Sequence, residues 1–192
     1  PDQALVLGNI ANTLQDLRRH GEAVPCYEQA LVLRPDLAEL HYNFGNALQV
    51  LGRADEALRH YRRALEIDPA RAACHYDAGN VLLDMRRHAE AVGHYDHALA
   101  LDPAYRFLPG TRMHARMKAC DWRGFDAELA ALLARIRAGQ PVTPPFPLLA
   151  LCDDPELHLA VARIWADEVC TPSLAQVGLP PLGAFSPADP AR

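Results

Sequence analysis

Hydrophobic and small residues recur at fixed positions along the first half of the chain. Three prolines, Pro35, Pro69 and Pro103, are spaced 34 residues apart, and the residues before them repeat in register. The repeated columns are Ala23, Ala57 and Ala91, then Tyr27, Tyr61 and Tyr95, then Ala30, Ala64 and Ala98. Four columns in one register indicate three consecutive copies of one structural unit.

The spacing of apolar positions within each unit predicts two helices. In the first half, apolar or small residues lie three or four positions apart, which places them on one helical face. These sets are Leu7, Ile10, Ala11 and Leu14, then His41, Phe44, Gly45 and Leu48, then His75, Ala78, Gly79 and Leu82. The second half repeats the spacing up to the proline, which cannot continue a helix. Each unit is therefore predicted to be a helical hairpin, and stability comes from stacking, because one hairpin cannot bury its own apolar face.

The columns resemble the tetratricopeptide repeat over residues 2–103. One small residue in each unit lets its two helices approach closely, and the tyrosine column fills the gap between hairpins. Ala11 departs from the family's glycine, and His41 and His75 stand where the family often has tryptophan. The resemblance implies an all-α solenoid of helical hairpins, wound into a right-handed superhelix that binds proteins or peptides on its concave face.

Helical signals continue beyond the third repeat, but the 34-residue register is lost. We predict three repeats in residues 1–104 and a degenerate fourth hairpin in residues 105–139. A Pro-rich segment with one helix is expected in residues 140–170, and an extended Pro-rich tail in residues 171–192. These segments make up the extra C-terminal part of the all-α fold.

Three local predictions concern the ends of these later helices. Asp121 is expected to cap the helix that carries Trp122. The run from Pro144 to Pro147 is expected to exclude regular helix. Asp153 or Asp154 is expected to cap a further helix that has Pro155 in its first turn.

Polar residues recur on the first helix of each hairpin, which lines the concave surface of tetratricopeptide arrays. The columns hold Asn12, Asn46 and Asn80; Asn9, Asn43 and Asp77; Gly8, Tyr42 and Tyr76; and Gln15, Gln49 and Leu83. The asparagines, the aspartate, the tyrosines and the glutamines are the candidate peptide-binding residues. Asparagine inside a helix costs roughly half a kcal/mol relative to alanine, so its recurrence needs a reason. Either the amides pair with the backbone of an extended peptide, or they bond within the scaffold; both readings stay open.

Composition and charge narrow the choice of partners. The 192 residues are 50% hydrophobic and 22% charged, with a formal net charge of −5, and the basic side chains are unclustered. Nucleic acid and anionic membranes are not expected as partners, because phosphate binding needs clustered positive charge. The inner face has no lysine or arginine, which disfavours a clamp for acidic tails. The lack of a long apolar run or signal peptide predicts a cytoplasmic protein, and self-association stays open.

No catalytic residue, cofactor or metal site is assigned from the sequence. The five cysteines never form a C-x-x-C pair, which argues against a disulfide framework or a structural zinc site. His94 and His97 lie three residues apart on one predicted helix, but two imidazoles without a third ligand are weak evidence for a metal. A metal-dependent hydrolase that uses them is the least favoured hypothesis.

Residues 105–192 resemble the segment that joins the repeats to the catalytic half in the O-linked N-acetylglucosamine transferases and their SPINDLY-like bacterial relatives. The resemblance is carried by Cys120-Asp121-Trp122, by Phe125-Asp126 and by Pro145-Phe146-Pro147-Leu148-Leu149. It implies that an asparagine-lined superhelix guides protein substrates to a UDP-sugar-dependent glycosyltransferase, whose catalytic half would lie beyond Arg192. The alternative is a free-standing tetratricopeptide scaffold that holds two proteins together.

Overall fold

The computed structural model describes residues 3–170 of the chain. Within that range it contains ten α-helices, a short π-helix at Ala166–Cys170 and no strand, so the all-α prediction is confirmed. The chain divides between Ala104 and Tyr105 into two compact units, called here the repeat unit and the C-terminal unit. No helix in the described range is both long and apolar enough to cross a membrane. The predicted tail at 171–192 lies outside the described residues.

Six helices form three hairpins in the repeat unit, as the columns predict. The helices are α1 (Gln3–Asp16), α2 (His20–Leu33), α3 (Ala38–Val50), α4 (Ala54–Ile67), α5 (Ala72–Asp84) and α6 (His88–Leu101). Each odd-numbered helix packs on the even-numbered helix that follows it, and each hairpin packs on the next. The second helices end two residues before Pro35, Pro69 and Pro103, so the prolines mark the hairpin boundaries.

A residue in the left-handed conformation closes the turn inside each hairpin. Arg18, Gly52 and Arg86 hold this position, with φ angles of 61°, 73° and 60°. The next residue in every repeat is an arginine that pairs with a glutamate three positions later, at the start of the second helix. The pairs are Arg19–Glu22, Arg53–Glu56 and Arg87–Glu90, each with an N–O distance of 2.6 Å. These pairs are exposed and contribute little to stability.

The core of the repeat unit consists of the tyrosine column and the small residues that face it. Tyr61 and Tyr95 are fully buried. A Cβ atom on Gly45 would lie 2.6 Å from the Tyr61 ring, and one on Gly79 would lie 2.4 Å from the Tyr95 ring. Since real Cβ atoms do not approach neighbours this closely, the two glycines admit the tyrosine rings at the helix crossing, in agreement with the predicted role of the small column.

The C-terminal unit contains four α-helices around its own apolar core. They are α7 (Leu108–Lys118), α8 (Phe125–Arg137), α9 (Pro145–Leu151) and α10 (Pro155–Trp165). The core is formed by side chains from all four helices and the α8–α9 connection, among them Met113, Ile136, Val142, Leu148 and Val161. The helical signals that continue beyond the third repeat therefore belong to helices that pack around this core.

Two local predictions in the C-terminal unit are wrong. The run expected to exclude helix instead begins α9 at Pro145, so the segment 140–170 holds two α-helices rather than one. The N–H groups in the first turn of a helix have no intrahelical acceptor. Pro145 and Pro147 lie in that turn, so their lack of an N–H group removes no helical hydrogen bond. Asp121 caps no helix, because α8 begins at Phe125 after Gly124. Its carboxylate accepts bonds from Arg116 and Arg123 instead.

The capping prediction for the last α-helix is confirmed. Asp154 is the N-cap of α10, and its Oδ1 accepts hydrogen bonds from the backbone N–H groups of Glu156 at 3.1 Å and Leu157 at 3.3 Å. Pro155 occupies the first helical position, where its missing N–H is not needed.

Candidate functional site

One asparagine per hairpin lies at the same place on α1, α3 and α5, and the scaffold holds its oxygen. In every repeat, the buried tyrosine of the second helix donates its hydroxyl proton to that oxygen. The pairs are Tyr27–Asn12 at 2.6 Å, Tyr61–Asn46 at 2.7 Å and Tyr95–Asn80 at 2.8 Å. Burial raises the pKa of each tyrosine, that of Tyr27 to about 12, so all three hydroxyls stay protonated donors at neutral pH.

These bonds show that the oxygen atoms of the asparagine column are used within the scaffold. A side-chain amide has an accepting oxygen and a donating NH2 group. The oxygen of Asn46 and that of Asn80 are used within the hairpin, which fixes the orientation of both side chains. The NH2 group of each amide is the donor that remains at this half-buried surface, and that of Asn46 also bonds the Tyr42 side chain.

The second column, three residues earlier, links neighbouring repeats. Tyr42 on α3 donates its hydroxyl proton to Asp77 Oδ2 on α5 at 2.8 Å. Burial raises the pKa of Asp77, and burial together with the Asp77 charge raises the pKa of Tyr42 to about 12. Between the first two repeats the arrangement differs, because Asn43 Nδ2 donates to Asn12 Oδ1 at 3.1 Å. Asn9, the first member of the column, is exposed.

The two glutamines and Tyr76 complete the candidate set. Gln15 donates through Nε2 to the Tyr27 hydroxyl and, at 3.1 Å, to the backbone oxygen of Asn43. Gln49 Oε1 lies 2.8 Å from the Tyr61 hydroxyl, which donates its single proton either to Gln49 or to Asn46. The rings of Tyr76 and Tyr95 lie 6.2 Å apart. All ten candidates therefore lie on the three first helices, which contact one another in sequence along the repeat unit.

A cleft opens on this surface between the first and second repeats. It encloses about 400 Å³ including its open mouth. Its apolar lining comes from Leu5, Leu37 and Leu40, and its polar lining from Asn9, Asn12, Glu39 and Asn43, with Gly8 between the two sets. The sequence pattern gave no indication of this cleft, although the glycine at position 8 interrupts a column that holds tyrosine in both later repeats.

The structure also shows two histidine pairs that the sequence reasoning missed. His41 Nδ1 lies 3.0 Å from His60 Nδ1, and in the next repeat His75 Nδ1 lies 3.2 Å from His94 Nδ1. Both pairs follow the 34-residue register, which was the signal available in the sequence. His94 therefore contacts His75 on α5, and in residues 3–170 no group of three or more His, Cys, Asp or Glu side chains is arranged to hold a metal ion.

The histidine pairs predict that the repeat unit loses stability in mild acid. Burial, followed by the partner histidine, lowers the pKa of both His60 and His94 to about 4, whereas unfolded histidine titrates near 6.5. The unfolded chain thus binds protons first, so stability is fully present above about pH 6.5 and is lost as the pH falls to about 4. We expect a loss on the order of 2 kcal/mol, after allowance for solvent screening at these half-buried rings.

Chemical denaturation followed by circular dichroism at pH 7.5 and pH 4.5 measures this loss. The double variant His60→Phe with His94→Phe is the control, because it keeps two rings in place and removes the titrating partners. We expect its stability to change less between the two pH values than that of the parent chain. An equal change in both proteins would assign the acid sensitivity to other groups.

Comparison with known proteins identifies the architecture. A family model described as tetratricopeptide repeat matches residues 2–70 and 36–104, which together exceed half of the chain. No curated protein sequence matches the chain at a significant level.

Several solved structures are similar to the chain. A crystal structure of MamA aligns with a TM-score of 0.63 and 20% identity, over 67% of this chain and 75% of that one. The tetratricopeptide domain of Arabidopsis OM64 aligns with a TM-score of 0.58 and 22% identity, over 60% of this chain and 96% of that one. An O-GlcNAc transferase mutant from Thermobaculum terrenum aligns with a TM-score of 0.55 and 25% identity, over 59% of this chain but 22% of that protein.

Proposed function

This chain belongs to the tetratricopeptide-repeat family, and we propose that its repeat unit binds an extended segment of a partner protein along α1, α3 and α5. The fold of the family is that of a protein–protein interaction module. The surface in question is formed by the first helices of the hairpins and carries a recurring set of neutral hydrogen-bonding groups.

The observation that carries the proposal is the orientation of the asparagine column. The tyrosine hydroxyls hold the oxygen atoms of Asn12, Asn46 and Asn80 in the same way in all three repeats. An amide whose oxygen is held in this way presents its NH2 group to the adjacent surface in a fixed direction. Backbone carbonyls recur along any extended peptide, so repeated N–H donors can bind it without selecting its side chains.

Charge supports a neutral or basic segment rather than an acidic one. The candidate residues include no lysine or arginine, and Glu39 and Asp77 lie on the same helices as the asparagines. An acidic tail would meet these two carboxylates, and like charges at close range weaken binding.

The double variant Asn46→Ala with Asn80→Ala tests the proposal. We expect at least a tenfold weaker affinity for peptides that are first selected on the parent chain from a random nonapeptide display library. Asn80→Ala removes the acceptor of the buried Tyr95 hydroxyl, so we also expect a loss of about 1–2 kcal/mol in stability at that site. The loss at Asn46 should be smaller, because the Tyr61 hydroxyl keeps Gln49 as an acceptor. Fluorescence anisotropy with labelled peptides measures the first effect, and urea denaturation the second.

The matched control is Tyr61→Phe with Tyr95→Phe, which breaks the same two scaffold bonds and keeps both amides. We expect the control to lose stability but to bind the selected peptides more tightly than the asparagine variant does. If both double variants bind as the parent chain does, the amides serve the scaffold alone and the proposal is wrong. Failure to select any peptide on the parent chain would contradict it too.

We further propose that this module belongs to a protein O-glycosyltransferase that uses a UDP-sugar. The support is the resemblance of residues 105–192 to the connector of that family, together with the similarity to the Thermobaculum terrenum transferase. The test is to express the complete gene product and incubate it with UDP-N-acetylglucosamine and the selected peptides, with mass spectrometry as the readout. A complete product that transfers no sugar would favour the free-standing scaffold. The cytoplasmic location stays a prediction.

A further inference from the structure

We infer that the cleft beside Gly8 is a specificity pocket for one tyrosine side chain of the bound peptide. The inference rests on the proposed function, because it assumes that a peptide lies along the first helices. It adds the identity of a side chain to a surface whose asparagines would otherwise recognise only the backbone.

The internal repeat indicates what the cleft would hold. Gly8, Tyr42 and Tyr76 occupy equivalent positions on α1, α3 and α5. In the second repeat this position carries a phenol ring, and the Tyr42 hydroxyl reaches Asp77 of the following hairpin at 2.8 Å. In the first repeat the ring is missing, and the cleft opens at this place. The chain itself thus contains one phenol bound between two hairpins, that of Tyr42. At the equivalent position of the first repeat, Gly8, it has an open cleft instead.

The lining of the cleft suits a ring with a polar tip. Leu5, Leu37 and Leu40 supply apolar surface, which favours burial of an aromatic ring. Asn43 lines the same cleft and is the equivalent of Asp77, the acceptor of the Tyr42 hydroxyl. Its Nδ2 is bonded to Asn12, and no donor in residues 3–170 reaches its Oδ1. A ligand phenol can donate to that oxygen as Tyr42 donates to Asp77.

The neighbouring side chain explains why the chain does not fill the cleft itself. A Cβ atom on Gly8 would lie 2.6 Å from Leu40 Cδ2, so leucine occupies the space next to the glycine. The equivalent residue in the third repeat is Cys74, a smaller, fully buried side chain whose Sγ lies 3.6 Å from the backbone oxygen of Tyr61. Gly8 and Leu40 therefore occupy the positions that Tyr42 and Cys74 hold one repeat later. Because glycine has no ring, the space that corresponds to the Tyr42 ring stays open to a ligand.

Peptide selection on the parent chain tests the inference. We expect tyrosine to be enriched at one position of the selected nonapeptides. For one such labelled peptide, we expect the version with alanine at that position to bind about tenfold more weakly, which corresponds to about 1.4 kcal/mol. The phenylalanine version, which keeps the ring but lacks the hydroxyl, should bind with intermediate affinity.

Two variants locate the effect at the cleft. Gly8→Tyr combined with Leu40→Cys copies the second-repeat arrangement and fills the cleft from within, so the tenfold ratio between the tyrosine and alanine peptides should fall to about one. Asn43→Leu removes the acceptor and should abolish the advantage of tyrosine over phenylalanine, whereas Asn43→Asp, which keeps an acceptor as in Asp77, should preserve it.

The outcomes separate this inference from the proposed function. Peptides that bind without tyrosine enrichment, or whose tyrosine preference survives both the cleft-filling pair and Asn43→Leu, would overturn the pocket and leave the groove intact. A chain that selects no peptides at all contradicts the proposed function instead. If the cleft-filling pair does not fold, the comparison of Asn43→Leu with Asn43→Asp decides the question.

Discussion

Replacing Arg116 with alanine is expected to lower the free energy of unfolding of the C-terminal unit by about 3–5 kcal/mol. Only 7% of the Arg116 side chain is exposed, and its guanidinium donates to Asp121 Oδ2 at 3.2 Å, to Glu128 and to the backbone oxygen of Arg123. The substitution leaves these acceptors without their shared donor and opens a cavity beneath them. Asp121 keeps Arg123 and Glu128 keeps Arg112 as ion-pair partners, but the buried part of the network loses the cation that joins the two carboxylates.

Arg123→Ala is the matched control for this prediction. Arg123 bonds the same carboxylate, with Nε at 2.8 Å from Asp121 Oδ1, but 91% of its side chain is exposed. We expect no measurable change in the free energy of unfolding, as for many exposed ion pairs. Both tryptophans, Trp122 and Trp165, lie in the C-terminal unit, so urea unfolding followed by tryptophan fluorescence reports this unit alone. Equal losses in the two variants would mean that burial of Arg116 adds nothing.

The sequence predicted the repeat unit well because its signal is periodic. Two helices can cross closely only where a small residue lies, and a large residue is needed to fill the gap between hairpins. Because every hairpin has the same geometry, the same residue sizes recur every 34 residues. Gly45 against Tyr61 and Gly79 against Tyr95 show this match of sizes at atomic contact. The positions of the candidate groove residues on α1, α3 and α5 follow from the same register.

The hydrogen bonds of those residues could not be predicted from their spacing. Whether Asn46 faces a ligand or the scaffold depends on where the Tyr61 hydroxyl lies, and that position is set by packing between two helices. The paired histidines illustrate the same limit. His41 and His60 are 19 positions apart, and their columns had to be compared with each other before a contact could be suspected.

Prediction was weaker in the C-terminal unit because no repeat averages out local ambiguity there. A run of prolines can either interrupt a helix or form its first turn. In this chain the run forms the first turn of α9, which begins at Pro145. Asp121 precedes an amphipathic stretch as a cap would. However, its carboxylate accepts hydrogen bonds from Arg123 and from Arg116 of the preceding helix, and these hold the pKa of Asp121 well below its usual range. The spacing of residues in the sequence gives no indication that Arg116 and Asp121 form this contact.

The substitution Gly110→Ala is expected to destabilise the C-terminal unit by about 2–3 kcal/mol. An added Cβ would lie 2.1 Å from both Cβ and Oγ1 of Thr143 and 2.9 Å from its Cα. Backbone bonds hold this segment against the start of α7, where helical N–H groups need outside acceptors. Phe107 N donates to Pro141 O at 2.7 Å, and Gly110 N donates to Val142 O at 2.8 Å. Thr143 is buried and cannot retreat without breaking these bonds.

Gly93→Ala is the matched control, because the same change from glycine to alanine is expected to stabilise the protein at this position. Gly93 lies inside α6, and a Cβ there would meet nothing within 4 Å. Alanine in a helix interior is favoured over glycine by about 0.5–1 kcal/mol, so this variant should stabilise the repeat unit. Circular dichroism reports the helices of both units, and tryptophan fluorescence reports the C-terminal unit alone, so a comparison of the two unfolding signals separates the effect of Gly93→Ala from that of Gly110→Ala. If Gly110→Ala also proved neutral or stabilising, the close contact between α7 and Thr143 would be refuted, because helix propensity alone would then account for both variants.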